Sequence, residues 1–221
     1  FVNFGLTAVE AALKAGCHHL DTTGEQKYML DVREQFGELY AQAGLLVSPS
    51  ISYMYSFSEI AAELALETQG IDALETAAMC RGPRDAAGVS LGSAASIFEL
   101  FHREQCYLWE NKLVPHAASA SFNIVDPNFI QPVFSLPWGG TSLPVYFEKD
   151  SRVRSCISSV GFYDNNVMPM VHGLSQKWEA EYKHLPKEQQ DAGIKSLVEA
   201  TTPSMPPRER TTIQRSVDIA I

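Results

Sequence analysis

Predicted helices and strands alternate along the first 80 residues, and this alternation constrains the possible fold more than any other feature of the sequence. Apolar residues recur at helical spacing in three segments, 6–15, 28–43 and 57–67. Short apolar runs that favour strands follow them at 17–20, 45–47 and 73–80. Gly16 and Gly44 directly follow the first two helical segments, where a glycine commonly ends a helix. Helices that alternate with strands are typical of a parallel α/β sheet.

The pattern changes after residue 80. A helix is predicted over 90–109, and the proline- and glycine-rich stretch 115–150 predicts a long irregular segment. The remaining predictions are a strand over 152–162, helices over 167–182 and 188–200, a proline-rich linker over 202–207 and a strand over 211–221. The predicted fold class is therefore α/β followed by α+β. In the second part we expect a mixed or antiparallel sheet with helices on one face, incomplete at its C-terminal end.

The charge of the chain argues against polyanionic partners. The 221 residues carry a formal net charge of -9, whereas binding to nucleic acid or to an anionic membrane surface needs clustered Lys and Arg. No apolar run reaches the ~18 residues of a membrane span, so no integral membrane segment is predicted. Four scattered cysteines without a C-x-x-C pair are interpreted as reduced, buried thiols of a cytoplasmic protein.

Residues 9–25 carry the most specific motif of the sequence. They combine a predicted helix, a short strand and the turn Asp21-Thr22-Thr23-Gly24-Glu25. This arrangement resembles a hallmark of saccharopine-dehydrogenase-like NAD(P)-dependent oxidoreductases, in which a Y-x-D-x-[TS]-G-E turn closes the nucleotide-binding domain. Residues 1–5, 90–96 and 147–153 resemble further motifs of that family. Within it, the chain is more similar to trans-acting enoyl reductases and uncharacterised oxidoreductases than to saccharopine dehydrogenase itself.

The resemblance implies a fold, a cofactor and a reaction. Residues 1–80 are expected to be the C-terminal part of a Rossmann-like nucleotide-binding domain, and residues 81–221 the substrate and dimerisation domain of a homodimer. The implied reaction is hydride transfer between NAD or NADP and a small-molecule substrate. The candidate cofactor-binding residues are Asp21, Thr22, Thr23 and Gly24. No G-x-G-x-x-G occurs in the chain, so we expect the phosphate-binding core to precede residue 1. The chain begins without Met and stops within an alternating strand pattern, so we expect both ends to be fragment ends.

One segment departs from the family pattern. Where the resemblance implies G-F-D-S-x-P-x-D beside the nicotinamide, residues 52–59 read S-Y-M-Y-S-F-S-E. Tyr53, Tyr55 and Phe57 are candidate pocket residues, and either tyrosine is a candidate proton donor. If the backbone is extended, Tyr53 and Tyr55 share one face. Residues 45–80 contain no Lys or Arg, which favours an uncharged, largely apolar substrate over the carboxylates of saccharopine.

Each of these interpretations has an alternative. Asp21 or Thr23 can instead cap the following helix, with Glu25 in its first turn, and the aromatic cluster can be core packing. The histidines lack metal-binding spacing, so no metal site is predicted. For function, the alternatives are a redox-inactive family member that acts as a binding or scaffold protein, and a non-redox enzyme that reuses the fold.

Overall fold

The computed structural model describes residues 4–81, 98, 100–102, 104–117, 120–127, 130–137, 142–163, 166–201 and 215–220. Within these residues the strands form two sheets, one of two parallel strands and one mixed sheet of seven. The predicted mixed sheet is therefore confirmed, whereas the Rossmann-like character of the first part stays a prediction.

The two-stranded sheet is built by the N-terminal helices and strands. Helix α1 (Gly5–Lys14) leads to strand β1 (His19–Leu20), and helix α2 (Gln26–Gln42) leads to strand β2 (Val47–Ser48). The strands are parallel, with His19 beside Val47. The alternation predicted for this part of the chain is confirmed for these four elements.

Both of these helices end in the same glycine motif. Gly16 and Gly44 have φ values of +69° and +66°, a conformation that costs glycine no steric strain. The N–H of Cys17 donates to the carbonyl of Ala12 at 2.9 Å, and the equivalent bond after Gly44 is also 2.9 Å long. These bonds define a Schellman motif, so the predicted role of both glycines is confirmed.

The seven-stranded sheet comprises β3 (Ala73–Arg81), β4 (Cys106–Trp109), β5 (Lys112–Pro115), β6 (Phe122–Asp126), β7 (Gln131–Leu136), β8 (Ser155–Phe162) and β9 (Arg215–Ala220). Its order is β5–β4–β8–β3–β9, and β7 joins the hairpin β6–β7 to β8. The β3–β8 pair is parallel, while the other pairs are antiparallel.

Strand β3 does not extend the N-terminal sheet. The sequence predicts it as the third strand of the first, parallel sheet, and this is wrong, because its partners are β8 and β9. A strand whose two faces are both buried can occupy any central position in a sheet, and its apolar sequence does not specify which strands pair with it. The division of the chain into domains at residue 80 stays a prediction.

Three helices cover one face of the large sheet. Helices α3 (Tyr53–Leu66), α4 (Leu143–Phe147) and α5 (Val167–Glu181) pack onto it, and α6 (Lys187–Thr201) packs on α5. Leu74 of β3 contacts the α3 and α4 cluster, and Ala78 contacts the α5 cluster. Both residues lie on the same face of the strand because they are four residues apart. No helix in the described part of the chain is long and apolar enough to cross a membrane.

Two predictions for the middle of the chain need correction. The helix predicted over 90–109 does not reach its predicted end, because residues 106–109 form β4, and residues 90–97 lie outside the described residues. The irregular stretch over 115–150 contains the hairpin β6–β7 and helix α4. Glu110 and Asn111, with φ values of +48° and +62°, turn β4 into β5, which is the geometry of a two-residue hairpin turn. Pro132 pairs with Val125 inside β7, so this proline does not break the strand. The predicted linker over 202–207 lies outside the described residues.

The four cysteines carry free thiols. Cys80 and Cys156 are buried, as predicted, and burial raises the pKa of the Cys156 thiol to about 12. Cys17 is exposed, contrary to prediction, because it directly follows the turn that ends α1.

Candidate functional site

Asp21 stands directly after β1 and is the centre of a hydrogen-bond network. Its Oδ1 accepts the backbone N–H of Thr23 at 2.9 Å. Its Oδ2 accepts the Tyr28 hydroxyl at 2.8 Å and lies 3.1 Å from His19 Nε2. Burial raises the pKa of Tyr28, and the bond to Asp21 raises it further. The carboxylate of Asp21 therefore ties the strand, the turn and helix α2 together.

Glu25 organises the second half of the turn. Its carboxylate accepts the backbone N–H of Gly24 at 2.9 Å and the hydroxyl of Thr23. Thr23, Gly24 and Glu25 are all buried, whereas Thr22 is exposed. The predicted alternative, in which Asp21 or Thr23 caps the following helix, is wrong: Glu25 is the N-cap residue of α2, and no side chain makes a capping bond there.

Ser50 holds the turn against the chain that follows β2. Its hydroxyl donates to the carbonyl of Thr23 at 2.7 Å, and the N–H of Ile51 donates to the carbonyl of Asp21 at 2.8 Å. Ser50 has a φ of +68°, an uncommon conformation for a residue with a side chain. The segments after β1 and β2 thus meet at the carboxyl ends of two parallel strands, where α/β sheets commonly bind ligands.

The aromatic residues of the divergent segment do not share one face. The two tyrosines would share one face only if the backbone were extended, and this condition is not met because residues 53–59 belong to helix α3. Residues two apart point to different sides of a helix. Tyr55 is 8% exposed, whereas Tyr53 and Phe57 are 42% and 54% exposed.

Tyr55 and Tyr53 lie in different surroundings. Burial raises the pKa of Tyr55 to about 12, and the nearby charge of Glu25 contributes to the shift. The hydroxyl of Tyr53 lies 3.5 Å from Cys80 Sγ, at the carboxyl end of β3. Tyr55 is therefore buried where the charge of Glu25 acts on it, whereas Tyr53, Phe57 and Thr22 are each exposed.

A cavity of about 420 Å³ lies elsewhere, between α5, the short 3-10 helix Leu100–His102 and the ends of β5 and β7. Its apolar lining consists mainly of Leu100, Phe101, Leu136, Val171 and Trp178. The rings of Phe101 and Trp178 are stacked with centroids 6.1 Å apart. None of the residues that the sequence predicts for cofactor or substrate binding lines this cavity.

Three polar side chains of the cavity come from distant parts of the chain. They are Gln105, His116 and His172. The ring of His116 packs against Tyr107 at 4.7 Å, and burial lowers its pKa to about 4. Sequence analysis missed this cavity because no local spacing connects a loop glutamine with histidines of other elements. No group of three or more His, Cys, Asp or Glu side chains in the described part of the chain could hold a metal ion.

Comparison with known proteins defines the class to which this α/β chain belongs. Residues 56–221 match the model of the Family of unknown function (DUF5938), and the chain belongs to this family. All residues that line the 420 Å³ cavity lie inside the matched range, whereas the turn around Asp21 precedes it.

No curated protein matches the chain. A solved structure that is similar to it is apo histidine-tagged saccharopine dehydrogenase (L-Glu forming) from Saccharomyces cerevisiae. The sequence identity is 11% and the TM-score is 0.43, over 89% of this chain and 51% of that chain. This chain thus spans about half the length of the yeast enzyme chain.

Proposed function

We propose that this chain forms the nicotinamide side and the substrate domain of an NAD(P)-dependent oxidoreductase. One observation carries the proposal: the turn that resembles the saccharopine-dehydrogenase-like motif meets the start of α3 at the carboxyl ends of β1 and β2. The hydrogen bond from Ser50 to Thr23 joins two segments 27 residues apart, and the charge of Glu25 acts on Tyr55 of α3. The exposed side chains of Thr22 and Tyr53 border this junction.

The roles of the residues follow from their surroundings. The internal bonds of Asp21 and Glu25 fix the shape of the turn, so these carboxylates act as positioning residues. Tyr53, with its hydroxyl near the end of β3, is the better placed proton donor, because the high pKa of the buried Tyr55 disfavours proton release. The cofactor would supply the hydride chemistry, and the protein would orient it.

Direct cofactor titration of the complete protein tests this proposal. We expect NADH or NADPH to bind with a micromolar dissociation constant. We also expect the protein to reduce hydrophobic enoyl or carbonyl compounds faster than it forms or oxidises saccharopine. Tyr53→Phe should lower kcat at least ~10-fold, whereas the control Tyr146→Phe, an exposed tyrosine of α4, should leave it unchanged. A complete protein that binds neither dinucleotide at millimolar concentration would refute the proposal.

A redox-inactive binding or scaffold protein is the second candidate, and the Asp21 network favours it. Both carboxylate oxygens of Asp21 are occupied by bonds within the protein, and Thr23 and Gly24 are buried. Such a turn is complete without a ligand. If this candidate is correct, neither the wild type nor Tyr53→Phe would oxidise or reduce a dinucleotide.

A further inference from the structure

We propose that the cavity beside α5 is a binding site for an uncharged aromatic molecule that carries an amide-like group. The site is separate from the junction around Asp21 and does not depend on the proposed redox activity. Its volume of about 420 Å³ is within the range of small-molecule sites, which span roughly 300–1,000 Å³.

The aromatic part of the ligand is indicated by the apolar lining. Phe101 and Tyr182 stack on Trp178 with centroids 6.1 and 5.9 Å away. Phe101 and Trp178 line the cavity, whereas Tyr182 packs on Trp178 outside the lining. Leu136 and Val171 add aliphatic surface. Flat aromatic molecules pack well against such surfaces.

The amide-like group is indicated by two buried polar atoms that have no partner in the described part of the chain. These atoms are Gln105 Oε1 and His172 Nδ1, and both residues line the cavity. A buried polar atom without a hydrogen bond is destabilising and calls for an explanation. A bound ligand that forms hydrogen bonds with both atoms would explain why they have no partner within the protein.

The two atoms differ in what they require. Gln105 Oε1 can only accept a hydrogen bond. His172 Nε2 lies 3.1 Å from the side-chain nitrogen of Gln176, and an amide nitrogen can only donate, so Nε2 accepts and the proton of the ring is on Nδ1. The ligand must therefore offer a donor to Gln105 and an acceptor to His172. A primary carboxamide offers both.

The charges of the lining favour a neutral ligand. Lys183 is paired with Glu179 at 2.7 Å, and Glu104 adds a further negative charge. Among the described residues of the lining, these charges disfavour an anion, because like charges repel and their one Lys or Arg side chain, Lys183, is already paired. Burial holds His116 neutral at pH 7, so this ring contributes no positive charge.

Binding of naphthamide and its anionic analogue naphthoate to the chain tests the proposal. Titration calorimetry should show naphthamide binding with a dissociation constant at least ~10-fold lower than that of naphthoate, and Trp178 fluorescence should be quenched. Gln105→Leu removes the acceptor and should weaken naphthamide binding at least ~10-fold without lowering Tm. Ala120→Trp, which fills the cavity, should abolish binding.

The control variant is Gln35→Leu, which removes an exposed glutamine of α2 and should bind naphthamide like the wild type. Absence of naphthamide binding at millimolar concentration would overturn the proposal, as would equal binding of naphthoate. Binding that Gln105→Leu does not change would also overturn it, and this variant keeps the test valid if Ala120→Trp fails to fold.

Discussion

The side-chain amide of Gln26 forms two hydrogen bonds with the backbone of Cys106, at 2.9 Å to its carbonyl oxygen and 2.7 Å from its N–H. Gln26 is 2% exposed and lies at the start of α2, whereas Cys106 opens β4. This pair therefore links the N-terminal helices to the large sheet, across 80 residues of sequence.

The first prediction concerns this link. Gln26→Leu should lower the free energy of unfolding by about 2–4 kcal/mol, because it leaves both backbone groups of Cys106 without their partner. Gln35→Leu, an exposed position of the same helix, should change it by less than about 0.5 kcal/mol. Urea denaturation measures both changes. Equal stability of the two variants would show that the link is dispensable.

Local signals predicted the N-terminal helices but not the partners of β3. The spacing of apolar residues and the glycines at 16 and 44 act within one helix, and the structure follows them closely. The pairing of β3 with β8 joins residues about 80 positions apart, and no local pattern encodes such a choice. The hairpin β4–β5 was not predicted for a related reason. A short apolar run is compatible with both a helix and a strand, and the turn between β4 and β5 was not recognised in the sequence.

In the candidate site, too, local features were predictable from the sequence and long-range contacts were not. The turn from Asp21 to Glu25 is contiguous in sequence, so its position after a strand was predictable. Its bond to Ser50 and the burial of Tyr55 depend on how α3 packs, and that depends on distant residues. A shared face for Tyr53 and Tyr55 required an extended backbone, but the alternation of two tyrosines is also compatible with the helix that this segment forms.

The second prediction concerns stability at acidic pH. Burial holds the pKa of His116 near 4, below its ordinary value of 6.5. Between these values the unfolded chain binds a proton that the folded chain does not, so the free energy of unfolding falls as the pH falls. The loss should be about 1–2 kcal/mol, reduced from the full shift because the ring is partly exposed. Comparison of wild type and His116→Phe by urea denaturation, at about pH 7 and pH 4.5, isolates this contribution.

In His116→Phe the stability should depend less on pH over this range, since phenylalanine does not titrate and can still pack against Tyr107 and Phe122. An identical pH dependence in the two proteins would contradict the assignment. The chemical shift of the His116 ring, followed by NMR, gives an independent value of the pKa.

The third prediction compares two helical glycines. A Cβ at Gly193 of α6 would overlap the ring of Tyr182, whereas a Cβ at Gly173 of α5 would meet no atom within 4 Å. Gly193→Ala should therefore destabilise the protein by about 1–3 kcal/mol. Gly173→Ala should stabilise it by about 0.5–1 kcal/mol through its helix propensity. Thermal unfolding of the pair measures the difference, and stabilisation by both substitutions would show that Tyr182 moves aside freely.

The fourth prediction separates the structural role of Asp21 from a binding role. Asp21→Asn replaces one accepting oxygen with a donor and disturbs the bonds from Tyr28 and Thr23, at a cost of about 1–3 kcal/mol. If the turn borders the cofactor, dinucleotide binding by the complete protein should weaken at least ~10-fold at temperatures where the variant is fully folded. Unchanged binding together with lower stability would assign Asp21 to the fold alone.

The last prediction concerns dinucleotide binding by the 221 residues alone. The backbone turn of a G-x-G-x-x-G motif lets a helix N-terminus approach the pyrophosphate, and this sequence contains no such motif. Contacts at the turn around Asp21 would reach only the nicotinamide end of the cofactor. We therefore expect this chain to bind NADH and NADPH with ~millimolar dissociation constants or weaker. Titration calorimetry with each dinucleotide tests this directly, with naphthamide as a ligand for the other site. Micromolar binding of either dinucleotide would mean that these residues hold the pyrophosphate in a way that the glycine motif does not represent.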